Sequence, residues 1–370
     1  MVTALAQNCG MAKTRFLGLD GLRGVCALTV VLLHSELLFN AGAVFSHGYL
    51  AVDVFFLLSG FVIAASYDAR LADGLTAMQF LKARVKRLAP VYWAGTALCV
   101  MAAVARSHFE SGMAPGNVLL LGAMAAFLLP VLAQGVFAYP ANPVAWTLAW
   151  ELVVNFLYAR WLRRAGTPVL VALIAVLLAL ATAEAFVNFR GWSFGVTGAD
   201  VWLGGLRAVP EFLMGVVLYR LHCAGVFLRL PQVTPLLPLA AWLTIASMPQ
   251  DLSPLFDLGV VVLAAPLLVA TLVRGEAPLW FVPLGALSYP LYASHLAVIW
   301  LAQHTPLLGL NRGPQPILAV AAVLLALGVA WAVHLLFDPA SKSPQVPVST
   351  AFPPKSPGLA AACEARPKSL

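Results

Sequence analysis

Two side chains that could carry chemistry bracket an apolar stretch near the start of the chain. Arg23 and His34 are separated by ten residues without a charge, which is about 16 Å along a helix at 1.5 Å of rise per residue. Across a bilayer, this spacing puts a permanent cation near one face and a titratable imidazole well towards the other. Ionisable groups at membrane depth are costly and usually functional. The alternative interpretation is a histidine near a helix end, bonded to a carbonyl or to lipid headgroups.

His34 is the natural proton acceptor in this sequence, because the reference pKa of histidine lies near 6.5. A carboxylate beside it would fix its tautomer and stabilise its charged form, as in a catalytic triad. Asp53 and Glu151, which interrupt two later apolar stretches, are the candidates for that role. Alternatively, each acid pairs with a lipid headgroup or with a helix end.

A pair of arginines could bind an anion. Arg84 and Arg87 are three positions apart on a predicted helix, so both can face the same way. Arginine is suited to bidentate recognition of phosphate. A basic cluster beside a membrane span is also a common signal for topology or for lipid headgroups. The spacing alone leaves both interpretations open.

Two further sets of polar residues lie inside apolar stretches. Arg207 and Glu211 are four apart, which predicts an ion pair within one helix; a structural role and a role along a substrate pathway both remain open. In the segment LGALSYPLYASHLAVIW, Tyr289, Tyr292 and His295 recur at intervals of three and share a helical face. A polar face within a span normally points at the bundle interior or a water-filled cavity. There, His295 either touches substrate or braces the bundle.

The composition determines the class of protein that must position these residues. Hydrophobic residues make up 61% of the 370-residue chain and charged residues 10%, and the mean hydropathy is +0.90. Soluble domains contain about 45–50% apolar and about 25% charged residues. Long apolar runs argue against a β-barrel, whose strands show short alternating segments. We therefore expect an all-α polytopic membrane protein embedded in the lipid bilayer.

The charge and the cysteines argue against other classes of partner. The net charge is +7, but the Lys and Arg residues form short clusters between apolar runs, as topology signals do. We therefore expect no nucleic-acid binding. The five cysteines are scattered, with no CxxC pair and no histidine at zinc spacing. They predict neither a disulfide framework nor a metal site.

The apolar runs predict about ten transmembrane helices. They lie at about 22–40, 48–66, 89–105, 144–161, 167–187, 201–221, 233–249, 255–273, 282–303 and 315–337. Residues 1–15 are expected to form a disordered cytoplasmic N-terminus. From Asp338 the chain is rich in Pro, Ser and Lys, which predicts a disordered cytoplasmic tail over 338–370. The predicted membrane domain is therefore 16–337.

One further apolar segment, 116–133, decides the topology. If 116–133 does not cross the membrane and the N-terminus is cytoplasmic, nearly all basic clusters lie on the cytoplasmic side. If 116–133 crosses, the basic clusters that follow it lie on the outer side. Because cytoplasmic loops carry an excess of Lys and Arg, 116–133 is predicted to be re-entrant or interfacial, with both termini cytoplasmic. His34, Asp53 and Glu151 would then share the outer half of the membrane, opposite the arginine pair.

Five motifs occur in register over roughly residues 16–337. They are an Arg-x10-His preceded by LDGLRG (Arg23–His34), AVDVFFLLSGF (Ala51–Phe61), an RxxR that runs into RLAPVYW (Arg84–Trp93), WTLAWE (Trp146–Glu151) and SYPLYASH (Ser288–His295). In this order and spacing, the chain resembles the acyltransferase-3 family of integral membrane acyltransferases. Ala51 stands where the family usually has Gly and Thr147 where it usually has Ser, and both changes are conservative.

The resemblance implies transfer of an acyl group, usually acetyl, from a cytoplasmic acyl-CoA to a hydroxyl group. The acceptor is usually a cell-surface sugar, an exopolysaccharide, a lipid-linked glycan or a glycolipid, and some relatives modify macrolides. The resemblance further implies a bacterial plasma (inner) membrane enzyme, with acetyl-CoA or another acyl-CoA as donor and no metal. Some members carry an extra extracytoplasmic esterase-like domain. Here a short tail follows instead, so we expect any such partner to be a separate protein.

The expected mechanism assigns a role to each motif. The arginine pair holds the CoA phosphates at the cytoplasmic face, and the pantetheine arm enters the bundle. His34 deprotonates the acceptor hydroxyl or takes the acyl group itself. Asp53 or Glu151 orients the imidazole, and Arg23 guides the donor or stabilises the thioester oxygen.

Two other functional classes compete with this interpretation. The main alternative is a transporter or flippase that moves a glycan or lipid without chemistry. Transporters often contain inverted repeats with helices broken by Gly or Pro, and the two halves of this chain show no convincing repeat. A membrane scaffold would not need titratable side chains in its spans, where the charged form of each costs about 2–3 kcal/mol. The sequence leaves open the acceptor, the acyl chain length, a covalent acyl-enzyme and the oligomeric state.

Overall fold

The computed structural model describes residues 15–109, 115–189, 191–249, 252–275, 277–303 and 315–338. Within these ranges the regular structure is helical, apart from one isolated bridge between Phe137 and Thr197. The molecule is an all-α polytopic membrane protein, as its composition predicts. Of the segments predicted to be disordered, 1–15 and 338–370, all residues except Arg15 and Asp338 lie outside the described residues.

Twelve α-helices form the framework of the described chain. They are α1 (Leu17–Phe39), α2 (Ala51–Ala72), α3 (Ala77–Phe109), α4 (Pro115–Ala126), α5 (Ala145–Arg160), α6 (Thr167–Glu184), α7 (Gly204–Cys223), α8 (Leu236–Ala246), α9 (Pro254–Gly259), α10 (Ala265–Arg274), α11 (Phe281–Gln303) and α12 (Pro316–Phe337). Two segments adopt π-helical geometry, Ala185–Phe189 after α6 and Val260–Ala264 between α9 and α10. Such segments are rare and often lie at functional sites.

Eight helical segments of the described chain are long and apolar enough to cross a bilayer. They contain α1, α2, α3, α6, α7, α9 with α10, α11 and α12, and they match eight of the ten predicted spans. The other two predicted spans contain shorter helices, since α5 has 16 residues and α8 has 11. These correspond to about 24 Å and about 16 Å, against a hydrocarbon core of about 30 Å.

The chain around α8 nevertheless passes from one end of the bundle to the other. Before α8, Phe227 lies next to His222, whose ring packs against Phe16 at the start of α1, with 5.8 Å between ring centroids in each contact. After α8, the carbonyl of Ala246 accepts a hydrogen bond (3.0 Å) from the backbone of His47, beyond the other end of α1. The irregular stretch before α8 therefore supplies the length that the helix lacks.

The segment 116–133 does not form a spanning helix. Its helix, α4, has 12 residues, about 18 Å in length, and the chain then turns through Leu128, whose φ is +56°. The loop that follows is held to the loop after the first π-helical segment, because the backbone N–H of Ala138 donates to the carbonyl of Val196 (2.9 Å). This geometry agrees with the predicted re-entrant or interfacial segment.

The loop between α4 and α5 enters the bundle. Tyr139, Asn142 and Ala145 are all buried. The Tyr139 hydroxyl donates to the carbonyl of Leu128 (3.1 Å), and burial raises the pKa of this phenol to about 12, so it stays a donor at neutral pH. Helix α5 therefore begins inside the protein and not at its surface. Every residue of α5 accordingly lies deeper than it would if the helix began at the surface.

The backbones of α2 and α7 approach each other unusually closely. A Cβ atom at Gly60 would lie 1.9 Å from the carbonyl oxygen of Phe212, and one at Gly215 would lie 2.0 Å from that of Leu57. Only a residue without a side chain fits at these positions. This pair, together with α1 packed along α11, makes the most extensive helix contacts in the described chain.

Candidate active site

The imidazole rings of His34 and His295 lie against each other between α1 and α11. Nδ1 of His34 is 2.9 Å from Nε2 of His295, and the ring centroids are 5.0 Å apart with 26° between the ring planes. His295 is fully buried and His34 is half-buried. The close packing of α1 on α11 thus brings together two predicted site residues that are 261 positions apart.

The hydrogen bonds of His295 assign a tautomer to both rings. Its Nδ1 lies 2.9 Å from the carbonyl oxygen of Tyr292 and 3.1 Å from that of Leu291. Because a carbonyl only accepts, this Nδ1 carries the proton. In the neutral ring Nε2 of His295 is then the acceptor, so Nδ1 of His34 donates to it. Nε2 of His34 keeps its lone pair and is the basic nitrogen of the pair.

A tyrosine and a threonine extend the polar surroundings of the histidines. The ring centroid of Tyr292 lies 6.1 Å from that of His295, and its hydroxyl is 3.1 Å from Oγ1 of Thr147 in α5. Because Thr147 donates its own proton to the carbonyl of Val144 (2.8 Å), Tyr292 is the donor between the two hydroxyls. Phe55 packs edge-on against Tyr292, at 5.7 Å between centroids.

Neither carboxylate predicted to orient His34 is its partner. Asp53 and Glu151 make their hydrogen bonds elsewhere, and the partner of the His34 ring is His295. The prediction placed three titratable groups at one depth because it started each helix at the membrane surface. The buried start of α5 removes that assumption for Glu151.

Glu151 is the centre of a second polar cluster, which includes part of the predicted donor site. Its Oε1 accepts hydrogen bonds from Nη2 of Arg84 (3.0 Å), Oγ of Ser59 (2.6 Å) and Nδ2 of Asn155 (3.1 Å). Arg84 is buried, and its Nε has no partner among the residues described. The acid expected beside His34 therefore lies with an arginine that was expected on the opposite side of the membrane.

Arg84 belongs to a group of three arginines, of which Arg84 and Arg23 interact with this carboxylate. Arg23 interacts electrostatically with Arg84 and with Glu151, and Arg87 interacts with Arg84 and Arg23. Arg87 is exposed, so the group extends from the surface to the buried guanidinium. The acids that act on this group are Glu151, Asp20, which pairs with Arg15 (2.6 Å), and Asp338, which contacts His334 (3.1 Å). Because the arginines, Arg15 included, still outnumber these acids, the arrangement favours an anionic ligand. No group of three or more His, Cys, Asp or Glu side chains that could hold a metal ion occurs in the described ranges.

A third polar cluster joins α2 to α7. Arg207 donates to both carboxylate oxygens of Asp53, through Nε and Nη2 at 2.8 Å each, and through Nη1 to the carbonyl of Phe194 (3.1 Å). Its guanidinium also lies 5.2 Å from the ring centroid of Trp146. The predicted ion pair within α7 is therefore not formed, because Asp53 occupies the fork of Arg207 and leaves Glu211 without a hydrogen bond to it.

Three polar residues of these clusters were not predicted as site residues: Ser59, Asn155 and Thr147. Ser59 and Thr147 lie within two of the five motifs, and Asn155 follows Glu151 by one helical turn. The signal was thus present in the sequence. These residues do not stand out by type, because burying a single hydroxyl or amide in an apolar stretch costs far less free energy than burying a charge.

Comparison with known proteins identifies the family. The sequence profile of the acyltransferase-3 family, described as an acyltransferase domain, matches residues 16–335. The chain belongs to this family. The acyltransferase is therefore a membrane enzyme, and the match covers all three polar clusters.

Two relatives of the acyltransferase come from bacteria. "Protein 2 in picA locus" of Rhizobium radiobacter is 40% identical over 188 residues, which are 46% of this chain and 96% of the relative. "Exopolysaccharide production protein ExoZ" of Rhizobium meliloti (strain 1021) is 29% identical over 202 residues, 50% of this chain and 60% of the relative. No solved structure matches the acyltransferase.

Proposed function

We propose that the acyltransferase moves an acyl group, with acetyl as the expected one, from a cytoplasmic acyl-CoA to a carbohydrate hydroxyl. The observation that carries the proposal is the His34–His295 pair, which leaves one unprotonated nitrogen inside the bundle. The name of ExoZ supports an exopolysaccharide or a lipid-linked glycan as the acceptor. The bacterial relatives support a location in a bacterial inner membrane.

The proposed donor site is the group of three arginines. CoA carries several phosphate groups, and arginine binds phosphate through charge-assisted, often bidentate hydrogen bonds. The exposed Arg87 would meet the nucleotide end first, and Arg84 lies deeper, where its Nε is free to donate. Glu151 and Ser59 would hold Arg84 in place, and Arg23 would guide the acyl end towards the histidines.

His34 is the proposed general base. Its Nε2 takes the proton of the acceptor hydroxyl while the hydroxyl oxygen bonds to the thioester carbonyl carbon. The carbon–sulfur bond then breaks, and the departing CoA thiolate takes the proton from the imidazolium. Nδ1–H of His34 donates to His295 throughout, which holds the ring and stabilises its charged form. General base catalysis of this kind contributes about 10²–10⁴ in rate.

The first test compares surface glycans of wild-type and gene-deletion cells by mass spectrometry. We expect deletion to remove ester-linked acyl groups and the wild-type gene to restore them. His34→Ala, present at wild-type level in the membrane, should restore about 10²- to 10⁴-fold less acylation, because the base is missing. The matched control is His222→Gln, because the His222 ring packs against Phe16 near the opposite end of α1. This variant should restore acylation.

A second variant of the same experiment tests the hydrogen-bond chain. His295→Gln keeps an acceptor for Nδ1–H of His34, whereas His295→Leu does not. We expect the Gln variant to retain more turnover than the Leu variant, with the donor KM unchanged in both. Normal acylation by a folded His34→Ala variant would remove His34 from the mechanism.

Purified protein in lipid nanodiscs separates the enzyme from the transporter. With labelled acetyl-CoA, the proposal requires transfer of the label to a glycan fraction from deletion cells, or slow release of free CoA thiol, dependent on His34. Binding of acetyl-CoA without either product would contradict the proposed donor. Loss of glycan export in deletion cells with unchanged acylation would favour the transporter.

A further inference from the structure

Glu211 is a fully buried acid that the proposed mechanism does not use. Both of its carboxylate oxygens are inaccessible, and neither accepts a hydrogen bond from a donor among the described residues. A buried carboxylate without hydrogen bonds is strongly unfavourable, because the charge loses its hydration and gains nothing in return. Some compensation at this position is therefore needed.

The cluster formed by Glu211 and its charged neighbours contains one basic and two acidic groups. Glu211 and Asp53 line the same small cavity and interact electrostatically, and Asp53 in turn forms the bidentate pair with Arg207. With both acids ionised, this cluster would carry one net negative charge at less than 3% exposure. Two carboxylates also cannot hydrogen-bond to each other, because both are acceptors only. Protonation of one carboxyl removes the net charge and supplies a hydrogen-bond donor between the two acids.

The space beside Glu211 offers no other compensation. A small cavity next to it is lined, apart from Asp53 and Glu211, by apolar side chains of α2, α10 and the π-helical segment Val260–Ala264. The cavity has no room for a water molecule, so ordered water cannot supply the missing hydrogen bonds. A metal cation would have to lie beside the guanidinium of Arg207, which repels it. A proton is the ligand that fits.

We infer that Glu211 is a proton-binding site within the membrane domain, with its acidic proton donated to Asp53 and shared by the two carboxyls. The electroneutral unit is then Asp53, Arg207 and protonated Glu211. It is separate from the histidine pair, since Asp53 and Arg207 make no hydrogen bond to either ring.

The other titratable groups that face this unit come from neighbouring elements, and one of them is Tyr292 of α11, which interacts electrostatically with Asp53 and Arg207. Tyr49, one helical turn before Asp53, interacts electrostatically with Asp53 and Arg207, and its hydroxyl donates to Asp257 (2.8 and 2.9 Å). His47 Nε2 lies 3.7 Å from Asp257. Tyr49, Asp257 and His47 extend from Asp53 towards the connection between α1 and α2.

Infrared difference spectroscopy of the full chain in lipid tests the inference. A protonated carboxylic acid has a carbonyl stretch that is well separated from carboxylate bands and shifts in D2O. We expect the wild type minus Glu211→Gln difference at neutral pH to contain that band. The Gln variant should keep wild-type thermal stability, since an amide mimics the neutral acid in size and can also donate to Asp53. A difference spectrum that contains only carboxylate bands would overturn the inference.

A second variant tests the charge argument independently of the first. In Asp53→Asn, Arg207 loses its counter-charge, so Glu211 should ionise and take its place. The protonated band should therefore disappear although Glu211 is still present. Persistence of the band in folded Asp53→Asn would contradict the shared proton. Neither outcome depends on acyl transfer, so the inference and the proposed function can fail separately.

Discussion

At the scale of single residues, the proposed mechanism gives a neutral ring, which accepts a hydrogen bond from His34, the orienting role that a carboxylate has in a catalytic triad. The Nδ1–H of His34 is held by His295, whose own proton is held by backbone carbonyls. A full charge within a span costs about 2.5–3.5 kcal/mol on insertion scales. A neutral partner orients the base without adding that cost, which suits a reaction centre inside a membrane domain.

The donor side offers a test with paired variants. Arg84→Gln should raise the acyl-CoA KM by roughly ten- to a hundredfold, because a hydrogen bond to a charged group is worth about 1.5–3 kcal/mol. It should also destabilise the protein, because Glu151 is left largely buried without its cation, a loss of about 3–5 kcal/mol for fully buried pairs. Donor KM and thermal stability in detergent are the two measurements.

The double variant Arg84→Gln with Glu151→Gln separates these two effects. Two neutral amides can hydrogen-bond to each other, so stability should recover while the donor KM stays high. The control is Arg160→Gln, an exposed arginine that stacks on Trp161 (5.1 Å) and should change neither quantity. A double variant with wild-type donor KM would exclude Arg84 from the donor site.

The sequence was sufficient to select these residues but not to pair them. His34 and Arg84 stand out because charged or titratable groups in apolar stretches are costly. Which of these residues pair with each other is not visible in the sequence. The Asp53–Arg207 bond, for example, spans 154 positions and depends on how each helix is rotated. Spacing favoured Glu211 as the partner of Arg207, yet the fork of the guanidinium fits a carboxylate on the neighbouring helix.

At the scale of elements, the buried start of α5 explains why Glu151 bonds to Arg84 and not to His34. Hydropathy locates an apolar run, but it does not show whether the run begins at the surface or inside the protein. The buried loop that contains Tyr139 and Asn142 supplies the missing length. A loop can be buried in this way only when its polar groups are bonded, as the hydroxyl of Tyr139 is.

The glycines between α2 and α7 give an element-level prediction. Gly215→Ala should lower the melting temperature in detergent, because its Cβ would lie 2.0 Å from a backbone oxygen of α2 and forced shifts cost about 1–3 kcal/mol. The matched control is Gly328→Ala in α12, where an added Cβ meets nothing within 4 Å. Alanine is favoured over glycine in helices by about 1 kcal/mol, so the control should be neutral or stabilising.

Equal melting temperatures for these two alanine variants would show that the α2–α7 contact is looser than described. A destabilised Gly328→Ala protein would mean that lipid or another copy of the chain packs against α12. Either result would be read against the wild type in the same detergent.

At the scale of the whole molecule, composition and charge were the most informative signals. They predicted the all-α membrane class, and the apolar runs located the passes through the bundle. The helix lengths were less predictable, because α5 and α8 complete their passes with irregular chain. Hydropathy measures how apolar a stretch is and carries little information on whether its backbone is helical throughout.

The predicted topology can be checked with reporter fusions. Alkaline phosphatase should be active when fused after residue 135 and inactive when fused after residue 166, because the first loop is predicted outside and the second inside. Green fluorescent protein should show the opposite pattern and should fluoresce at the C-terminus. The reverse result would place the three arginines on the outer side, where cytoplasmic acyl-CoA has no access.

The glycine contact between α2 and α7 also limits how the bundle can open. At Gly60 and Gly215 the two backbones already touch, so neither helix can roll or slide against the other without a collision. Any breathing motion that admits a donor or releases a product must use other helix boundaries. The two helices then move as one rigid body and carry the Asp53–Arg207 bond with them unbroken.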